Sequence, residues 1–130
     1  MIKSAKSLLI VGLVALFATS CSPKVAEKLS LEEYEMLMAN TKKLQLVDVR
    51  TPEEFQAGHI TDAVMIDFKS ADFREQVKAL KKRKPVAVYC KSGNRSGQAF
   101  AILQEMGFKK IYDLEGGITA WQQAGKEVKK

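Results

Sequence analysis

The sequence predicts an α/β protein, a three-layer α/β/α fold around a four- to five-stranded parallel sheet. Apolar, strand-like runs alternate with helix-like segments from residue 29 onward, and this alternation is typical of a parallel sheet with helices on both faces. The chain has 130 residues, of which 46% are hydrophobic and 28% charged, the size and composition of one globular domain. We therefore expect a single folded domain over residues 29–130.

Capping residues indicate where the predicted helices begin. Two capping boxes, Ser30 to Glu33 and Thr51 to Glu54, each place a hydroxyl at the helix start and a glutamate three residues on. Pro52 stands at the first position of the second helix, where its missing N–H costs nothing. A later helix is predicted from Ser96 to Met106, and a closing helix from Gly116 to Ala124.

Apolar runs predict the strands, and they are Leu44 to Val49, Ala63 to Ile66, Val86 to Tyr89 and Ile111 to Leu114. A fifth, short strand at Ala26 to Lys28 is only weakly indicated. Between the second and third runs, Phe73, Val77 and Leu80 follow at helical spacing. The basic run Lys81 to Lys84 is interpreted as the solvated end of that helix, whose cations complement the helix dipole. An anionic surface or nucleic acid is the alternative, and export would remove nucleic acid from reach.

The first twenty residues are typical of an export signal. Lys3 and Lys6 give a positive start, and the unbroken apolar run Leu8 to Ala18 is too short to span a bilayer. Small residues then lead to Cys21, a pattern that resembles the lipobox of bacterial lipoproteins, although Ala18 stands where leucine is commonest. We expect residues 1–20 to be a lipoprotein signal peptide. Residues 21–28 would be a lipidated cysteine and a short tether.

This lipobox resemblance implies an exported, membrane-anchored protein that faces the periplasm. Ser22, rather than aspartate, follows Cys21, which in bacteria that sort by this position points to the outer membrane. A plain signal peptide that leaves Cys21 as an ordinary thiol is the alternative. The formal net charge of +6 falls to +4 without Lys3 and Lys6, a mild bias toward anionic ligands.

Cys90 is the candidate nucleophile. If Cys21 carries lipid, Cys90 is the one free thiol in an oxidising compartment, where an unpaired cysteine is a liability unless its reactivity is used. It ends a predicted strand, and the loop after it contains Gly93 and the cations Lys91 and Arg95. Such a loop can turn its N–H groups inward to hold an anion, and the same field lowers a thiol pKa. A buried structural cysteine, the alternative, leaves the glycine and cations unexplained.

Three ordered motifs carry a resemblance to a known family. The first is the loop Cys90-Lys-Ser-Gly-Asn-Arg-Ser96. The second is Val47-Asp48-Val49-Arg50, followed by Glu53-Glu54-Phe55 and Gly58-His59-Ile60 with Ala63. The third is Gly116-Gly117-Ile118 with Trp121 and Gly125. Over Leu46 to Gly125 the chain resembles the single-domain rhodaneses, a thiosulfate sulfurtransferase-like family. It departs from the pattern at Thr61-Asp62, where many members carry proline and glycine.

The resemblance implies a thiosulfate:cyanide sulfurtransferase. The Cys90 thiolate would attack the outer sulfur of a small anionic donor such as thiosulfate, and a cyanide or thiol acceptor would take the sulfur from the persulfide. Lys91 and Arg95 would bind the oxyanion end of the donor. The substrate-binding loop would comprise Lys91, Ser92, Gly93, Asn94, Arg95 and Ser96.

Other residues are assigned supporting roles or none. Asp48 and Arg50 are interpreted as an ion pair that shapes the loop, and in the family the position of His59 supports structure. Sulfite leaves as an anion without a general acid, so the implied cycle requires no Ser/His/Asp or Cys/His constellation. No cofactor and no metal are expected.

Three alternatives remain open at this point. A cysteine phosphatase or arsenate reductase uses similar loop chemistry, but such loops typically hold five residues between cysteine and arginine, and here there are four. A non-catalytic rhodanese module would usually have lost the cysteine. A periplasmic carrier that passes persulfide to a partner protein cannot be separated from an enzyme by sequence.

Overall fold

The computed structural model describes residues 23–130, together with Gly12, Val14 and Ala15. Apart from those three residues, the predicted signal peptide lies outside the described part of the chain, as does the lipidation predicted at Cys21. Among the described residues, no helix has the length and apolar character needed to cross a membrane.

Five strands and five α-helices make up the described domain, and the predicted α/β class is confirmed. The strands are β1 (Val25–Leu29), β2 (Gln45–Asp48), β3 (Val64–Met65), β4 (Val86–Tyr89) and β5 (Lys110–Leu114). The helices are α1 (Leu31–Asn40), α2 (Pro52–Ala57), α3 (Phe73–Gln76), α4 (Asn94–Glu105) and α5 (Gly117–Gln123). A 3₁₀ turn, Val77–Ala79, continues α3.

The five strands form one parallel sheet in the order β1-β5-β4-β2-β3. Because all strands run the same way, their carboxyl ends share one edge of the sheet, called here the carboxyl edge. Their first residues share the opposite edge, called the amino edge. The central strand β4 is wholly buried, and its Val88 is in register with Val47 on one side and Asp113 on the other.

A hydrophobic core fills each face of the sheet, which gives the three predicted layers. On one face the buried side chains of α3 and α4, with the 3₁₀ turn, pack on the strands; they include Phe73, Val77, Ala99 and Leu103. On the other face the buried side chains of α1 and α5 include Tyr34, Ile118 and Trp121. Successive side chains of a strand point to opposite faces of the sheet, so each strand contributes residues to both cores.

The structure differs from the sequence predictions at three boundaries. Strand β1 is a full five-residue strand that begins at Val25, so most of the predicted tether belongs to the sheet. Helix α4 begins at Asn94 rather than Ser96, because Gly93 takes a φ of +110° as its N-cap. The helix before Lys81 to Lys84 ends at Gln76 and continues only as the 3₁₀ turn, so the basic run does not cap a long helix.

Candidate active site

Cys90 lies at the carboxyl edge, immediately after the central strand β4. The residue is only 1% exposed, so its side chain is almost wholly buried. The loop turns at Gly93, whose backbone N–H donates to Cys90 Sγ at 3.1 Å. Helix α4 then begins at Asn94, which places its amino end beside the sulfur. The sheet and the helix together fix the nucleophile at the centre of the edge.

Hydrogen bonding stabilises the thiolate form of Cys90. Burial by itself raises the pKa of the thiol, but the polar groups around the sulfur, which are the Ser96 hydroxyl and the amides of Ser96, Gly93 and Ser92, more than offset it, and the net pKa is lowered. The sequence attributed this effect to the loop amides, the helix dipole and the two cations. The structure shows that neutral donors aimed at the sulfur are its principal cause.

Gly117 packs against the backbone of Cys90 and Lys91, at the start of the loop that follows β4. The sequence analysis did not assign this role to it. The amides of Ile118 and Thr119 at the start of α5 donate to the carbonyl oxygens of Cys90 and Lys91 at 2.9 and 3.1 Å. Gly117 has a φ of +60°, and a Cβ there would lie 2.5 Å from both carbonyl oxygens. Only glycine fits this contact. The Gly116-Gly117-Ile118 motif was the sequence signal that could have identified it.

Arg95 is held by a carboxylate from another helix. Its two terminal nitrogens donate to the two carboxylate oxygens of Glu54 at 2.7 and 2.9 Å, a bidentate ion pair between α4 and α2. The Arg95 hydrogen bonds are the main reason that the pKa of Glu54 is lowered to about 2. The sequence assigned Arg95 to the oxyanion of a donor. In the structure its charge is shared with Glu54.

Asp48 and Arg50 form a buried ion pair beside the loop. Arg50 Nη2 lies 2.7 Å from Asp48 Oδ2 and also donates to the carbonyl oxygen of Gly58 at 2.7 Å. The Asp48 residue is fully buried and Arg50 is 5% exposed, with its guanidinium 5.8 Å from the centre of the Tyr89 ring. Since β2 pairs with β4, this ion pair fixes the strand ends next to Cys90.

A pocket of about 290 Å³ opens over the start of the loop. Its lining residues are Arg50, Glu54, Ala57, Gly58, Lys91, Ile118, Thr119 and Gln122. Cys90 does not line it, but the neighbouring Lys91 does. The Lys91 side chain is exposed and forms no ion pair with any residue that the structure describes. The pocket therefore offers one unpaired cation to a small anion.

Two buried polar side chains, Asp113 and Ser96, lie close to each other near the Cys90 sulfur. The sequence analysis named Ser96 as a loop residue but did not identify Asp113. Ser96 Oγ and both carboxyl oxygens of Asp113 are buried without a partner in full hydrogen-bond geometry. The Ser96 hydroxyl is nevertheless near enough to lower the pKa of Cys90 and to oppose the rise at Asp113. Burial still raises the pKa of Asp113 overall. No sequence spacing links the two residues, because β5 and α4 bring them together.

The arrangement can attack an electrophilic sulfur or phosphorus and hold a charged product on backbone amides. Within residues 23–130, no cluster of three histidine, cysteine or carboxylate side chains is placed to hold a metal. The site is a cysteine with a lowered pKa and amide donors around its sulfur, at the carboxyl edge of a parallel sheet that has helices on both faces. These features define a class of α/β domains with a cysteine loop.

Comparison with known proteins identifies the family within that class. The family model described as Rhodanese-like domain matches residues 30–124, and the chain belongs to this family. A protein named sulfurtransferase from Allochromatium vinosum is 35% identical over 101 residues, which cover 78% of this chain and 92% of that protein. A probable adenylyltransferase/sulfurtransferase from Mycobacterium tuberculosis is 38% identical over 80 residues, or 62% of this chain, but only 20% of that protein is covered.

Solved structures agree with the fold. A rhodanese-related protein from Thermoplasma volcanium superposes with a TM-score of 0.70 at 31% identity, covering 79% of this chain and 97% of that one. A rhodanese-like domain protein from Staphylococcus aureus gives a TM-score of 0.68 at 28% identity, covering 80% of this chain and 99% of that one. In both cases the match covers nearly the whole of the solved chain, so each of those structures consists of little more than this domain.

Proposed function

We propose that the protein is a sulfurtransferase that moves sulfane sulfur through a persulfide on Cys90. The observation that carries the proposal is the Cys90 sulfur, which accepts from the Gly93 amide at 3.1 Å and has a lowered pKa. A thiolate at neutral pH is the form that attacks sulfur. The family and the 35% identical sulfurtransferase support the same chemistry.

The proposed donor is thiosulfate or a similar small anion. The thiolate attacks the outer sulfur of thiosulfate, a new S–S bond forms, and the old one breaks with its electron pair leaving on sulfite. Cyanide or a thiol then attacks the outer sulfur of the Cys90 persulfide, and the Cys90 thiolate leaves. No proton transfer is required in the first step, which agrees with a site built from amide donors.

The loop residues take distinct roles in this proposal. The amides of Ser92, Gly93 and Ser96 hold the negative charge on the thiolate and on the persulfide. Lys91, exposed at the mouth of the pocket, binds the sulfonate end of the donor. Arg95, shared with Glu54, contributes orientation and a weaker positive field, while Asn94 begins the helix behind the loop.

The test is a transfer assay joined to mass spectrometry. Wild-type protein treated with thiosulfate should gain the mass of one sulfur on Cys90 and should then form thiocyanate from cyanide. Cys90→Ser keeps the shape but carries no persulfide, so it should do neither. Thiocyanate formed at the wild-type rate by the serine variant would remove Cys90 from the mechanism.

Assays on the same wild-type protein separate two other activities from the proposed one. A persulfide carrier would gain the sulfur from thiosulfate but transfer it only to a partner thiol protein, with negligible cyanide turnover. A phosphatase or arsenate reductase would release phosphate from p-nitrophenyl phosphate or reduce arsenate. The four-residue spacing between Cys90 and Arg95 favours attack on a protruding sulfur over attack on a deeper phosphorus.

We also propose that the domain is held to a membrane through lipid on Cys21, as an exported protein that faces the periplasm, in the outer membrane. The support is the sequence pattern of the leader and the short stretch between Cys21 and β1. Cys21→Ala should release the protein into the soluble fraction or block processing. Cleaved, unacylated wild-type protein in the soluble periplasm would contradict the anchor.

A further inference from the structure

The amino edge of the sheet collects basic residues from four separate loops. The loops that lead into β1, β2, β4 and β5, together with the first residue of β5, contribute Lys24, Lys42, Lys43, Lys81, Lys82, Arg83, Lys84, Lys109 and Lys110. Because parallel strands begin at one edge, loops that are distant in sequence meet in space. Seven of the nine residues are exposed, and Lys84 and Lys109 are partly exposed.

The charge of the domain is strongly asymmetric. Residues 23–130 hold 19 of the 21 basic residues and all 15 acidic ones. The amino edge takes nine of these cations, and the four loops contain no acidic residue. The remaining residues are ten basic and fifteen acidic, a net charge of −5. Acidic residues at this edge include Asp62, beside Lys43 in the loop before β3, and Glu105 at the end of α4, which is paired with Arg74.

These cations are not neutralised by ion pairs. Within the described part of the chain, the five ion pairs involve none of the nine residues. Lys81 and, more weakly, Lys43 lower the pKa of Lys84, which shows how closely like charges gather. The self-repulsion is a cost that an anionic partner would remove.

The described domain begins at this same edge, with Lys24 and Val25. The Val25 N–H donates to the carbonyl oxygen of Lys109 at 2.8 Å, and the Lys109 N–H donates to that of Lys82 at 3.0 Å. The start of β1 therefore adjoins two of the basic loops. Cys21 precedes Val25 by four residues, a reach of at most about 14 Å. Cys90 lies at the opposite edge.

We propose that the amino edge is a docking surface for an anionic membrane, which holds the domain with the Cys90 loop facing away from the lipid. The choice of a membrane over another polyanion rests on the proposed anchor at Cys21, whose tether brings this edge to the bilayer. Basic residues near an anionic bilayer contribute about 1 kcal/mol each. The lipid holds the chain, and the edge sets its orientation.

The test uses residues 22–130, which contain every strand, both cores and no lipid. The Thermoplasma structure, covered over 97% of its length, shows that a domain of this extent folds separately. Binding is measured by sedimentation with vesicles of phosphatidylglycerol and phosphatidylcholine, one part to three, and with phosphatidylcholine alone. Binding to the anionic vesicles should be at least about tenfold stronger and should weaken as salt screens the charges.

Matched double variants locate the surface. Lys81→Gln with Lys82→Gln neutralises two amino-edge cations, whose structural hydrogen bonds are made by backbone groups and survive the change. We expect anionic binding to fall about fivefold for each residue. Lys28→Gln with Lys69→Gln removes the same net charge at the end of β1 and after β3, away from this edge, and should change binding less than about threefold. Thermal unfolding checks that both variants are folded.

The outcomes separate this inference from the sulfur chemistry, since no step of the test involves Cys90. Equal binding to the two kinds of vesicle would overturn the docking surface. Equal losses in the two double variants would show that net charge, not this edge, governs binding. A single-stranded DNA oligonucleotide that displaces the protein from vesicles at equal phosphate concentration would assign the edge to nucleic acid instead.

Discussion

The two arginines beside Cys90 and the basic residues of the amino edge differ in their pairing, although Lys91 at the carboxyl edge is exposed and has no ion pair among the described residues. At the carboxyl edge Arg50 is paired with Asp48 and Arg95 with Glu54, and both pairs are wholly or largely withdrawn from solvent. At the amino edge nine cations, seven exposed and two partly exposed, have no ion pair among the described residues. Paired charges fix geometry, whereas unpaired charges create a field. The ion pairs of the carboxyl edge therefore fix the strand and helix ends around Cys90, and the opposite edge remains free to attract an anionic partner.

This comparison explains what activates Cys90. If free cations lowered its pKa, the effect would weaken in salt as it does for any exposed charge. The principal donors are instead the Ser96 hydroxyl and the loop amides, which are fixed by α4 and by the contact with α5. The Arg95 guanidinium and the Cys90 thiolate also attract each other, and that attraction, after the Glu54 hydrogen bonds, helps to raise the pKa of Arg95.

The largest expected effect comes from opening the buried ion pair. Asp48→Ala leaves the Arg50 guanidinium buried without its carboxylate, and loss of one partner of a buried pair costs about 3–5 kcal/mol. Urea unfolding measures the free energy of unfolding. Lys82→Gln at the amino edge serves as the matched control and should stay within about 0.5 kcal/mol of wild type. A loss below 1 kcal/mol for the aspartate variant would show that the two edges do not differ as described.

Gly117→Ala should disturb the loop as well as the fold. A left-handed, non-glycine residue costs about 1–2 kcal/mol, and here its Cβ would also strike the carbonyls of Cys90 and Lys91. The control is Gly107→Ala, which has a φ of +88° but open space around its Cβ position. Both variants should lose stability in urea, but only Gly117→Ala should slow alkylation of Cys90 by iodoacetamide at neutral pH. Equal alkylation rates would contradict the supporting role.

Ser96→Ala should raise the pKa of Cys90, because the nearby hydroxyl that lowers this pKa is removed while the amide at that position remains. The rate of alkylation against pH gives the pKa directly. Ser92→Ala is the control, since Ser92 contributes its amide and not its hydroxyl. An unchanged midpoint in the Ser96 variant would mean that the amides alone activate the sulfur.

Asp113→Asn tests the one buried carboxyl that has no ion pair at this edge. Burial raises its folded pKa above the unfolded value of about 3.9, so its contribution to stability is present below that value and is lost as pH rises through the folded pKa. The amide variant should match wild type near pH 3 and be the more stable protein near pH 7. Urea midpoints at the two pH values check this, and parallel curves for the two proteins would contradict it.

Local features of the fold were predictable from the sequence. Both predicted capping boxes are formed, at Ser30 with Glu33 and at Thr51 with Glu54. The predicted strand before Cys90 is also formed and is wholly buried. A short apolar run favours this position because helices cover both faces of a parallel sheet. At the departure from the family pattern, Asp62 takes a φ of +70°, an angle that aspartate tolerates.

The rest was decided by contacts between distant parts of the chain. Strand β1 has few strand-forming residues and exists because β5 supplies a partner along its whole length. Glu54 and Arg95 are 41 residues apart, and Asp113 meets Ser96 only where β5 passes beneath α4. By itself the sequence determined most of the helices and strands, with their capping boxes and the position of Cys90 after a buried strand, because those follow from local hydrogen bonding and hydrophobic periodicity. The tertiary structure alone decided which charges are paired, because that depends on packing between segments that no local pattern connects.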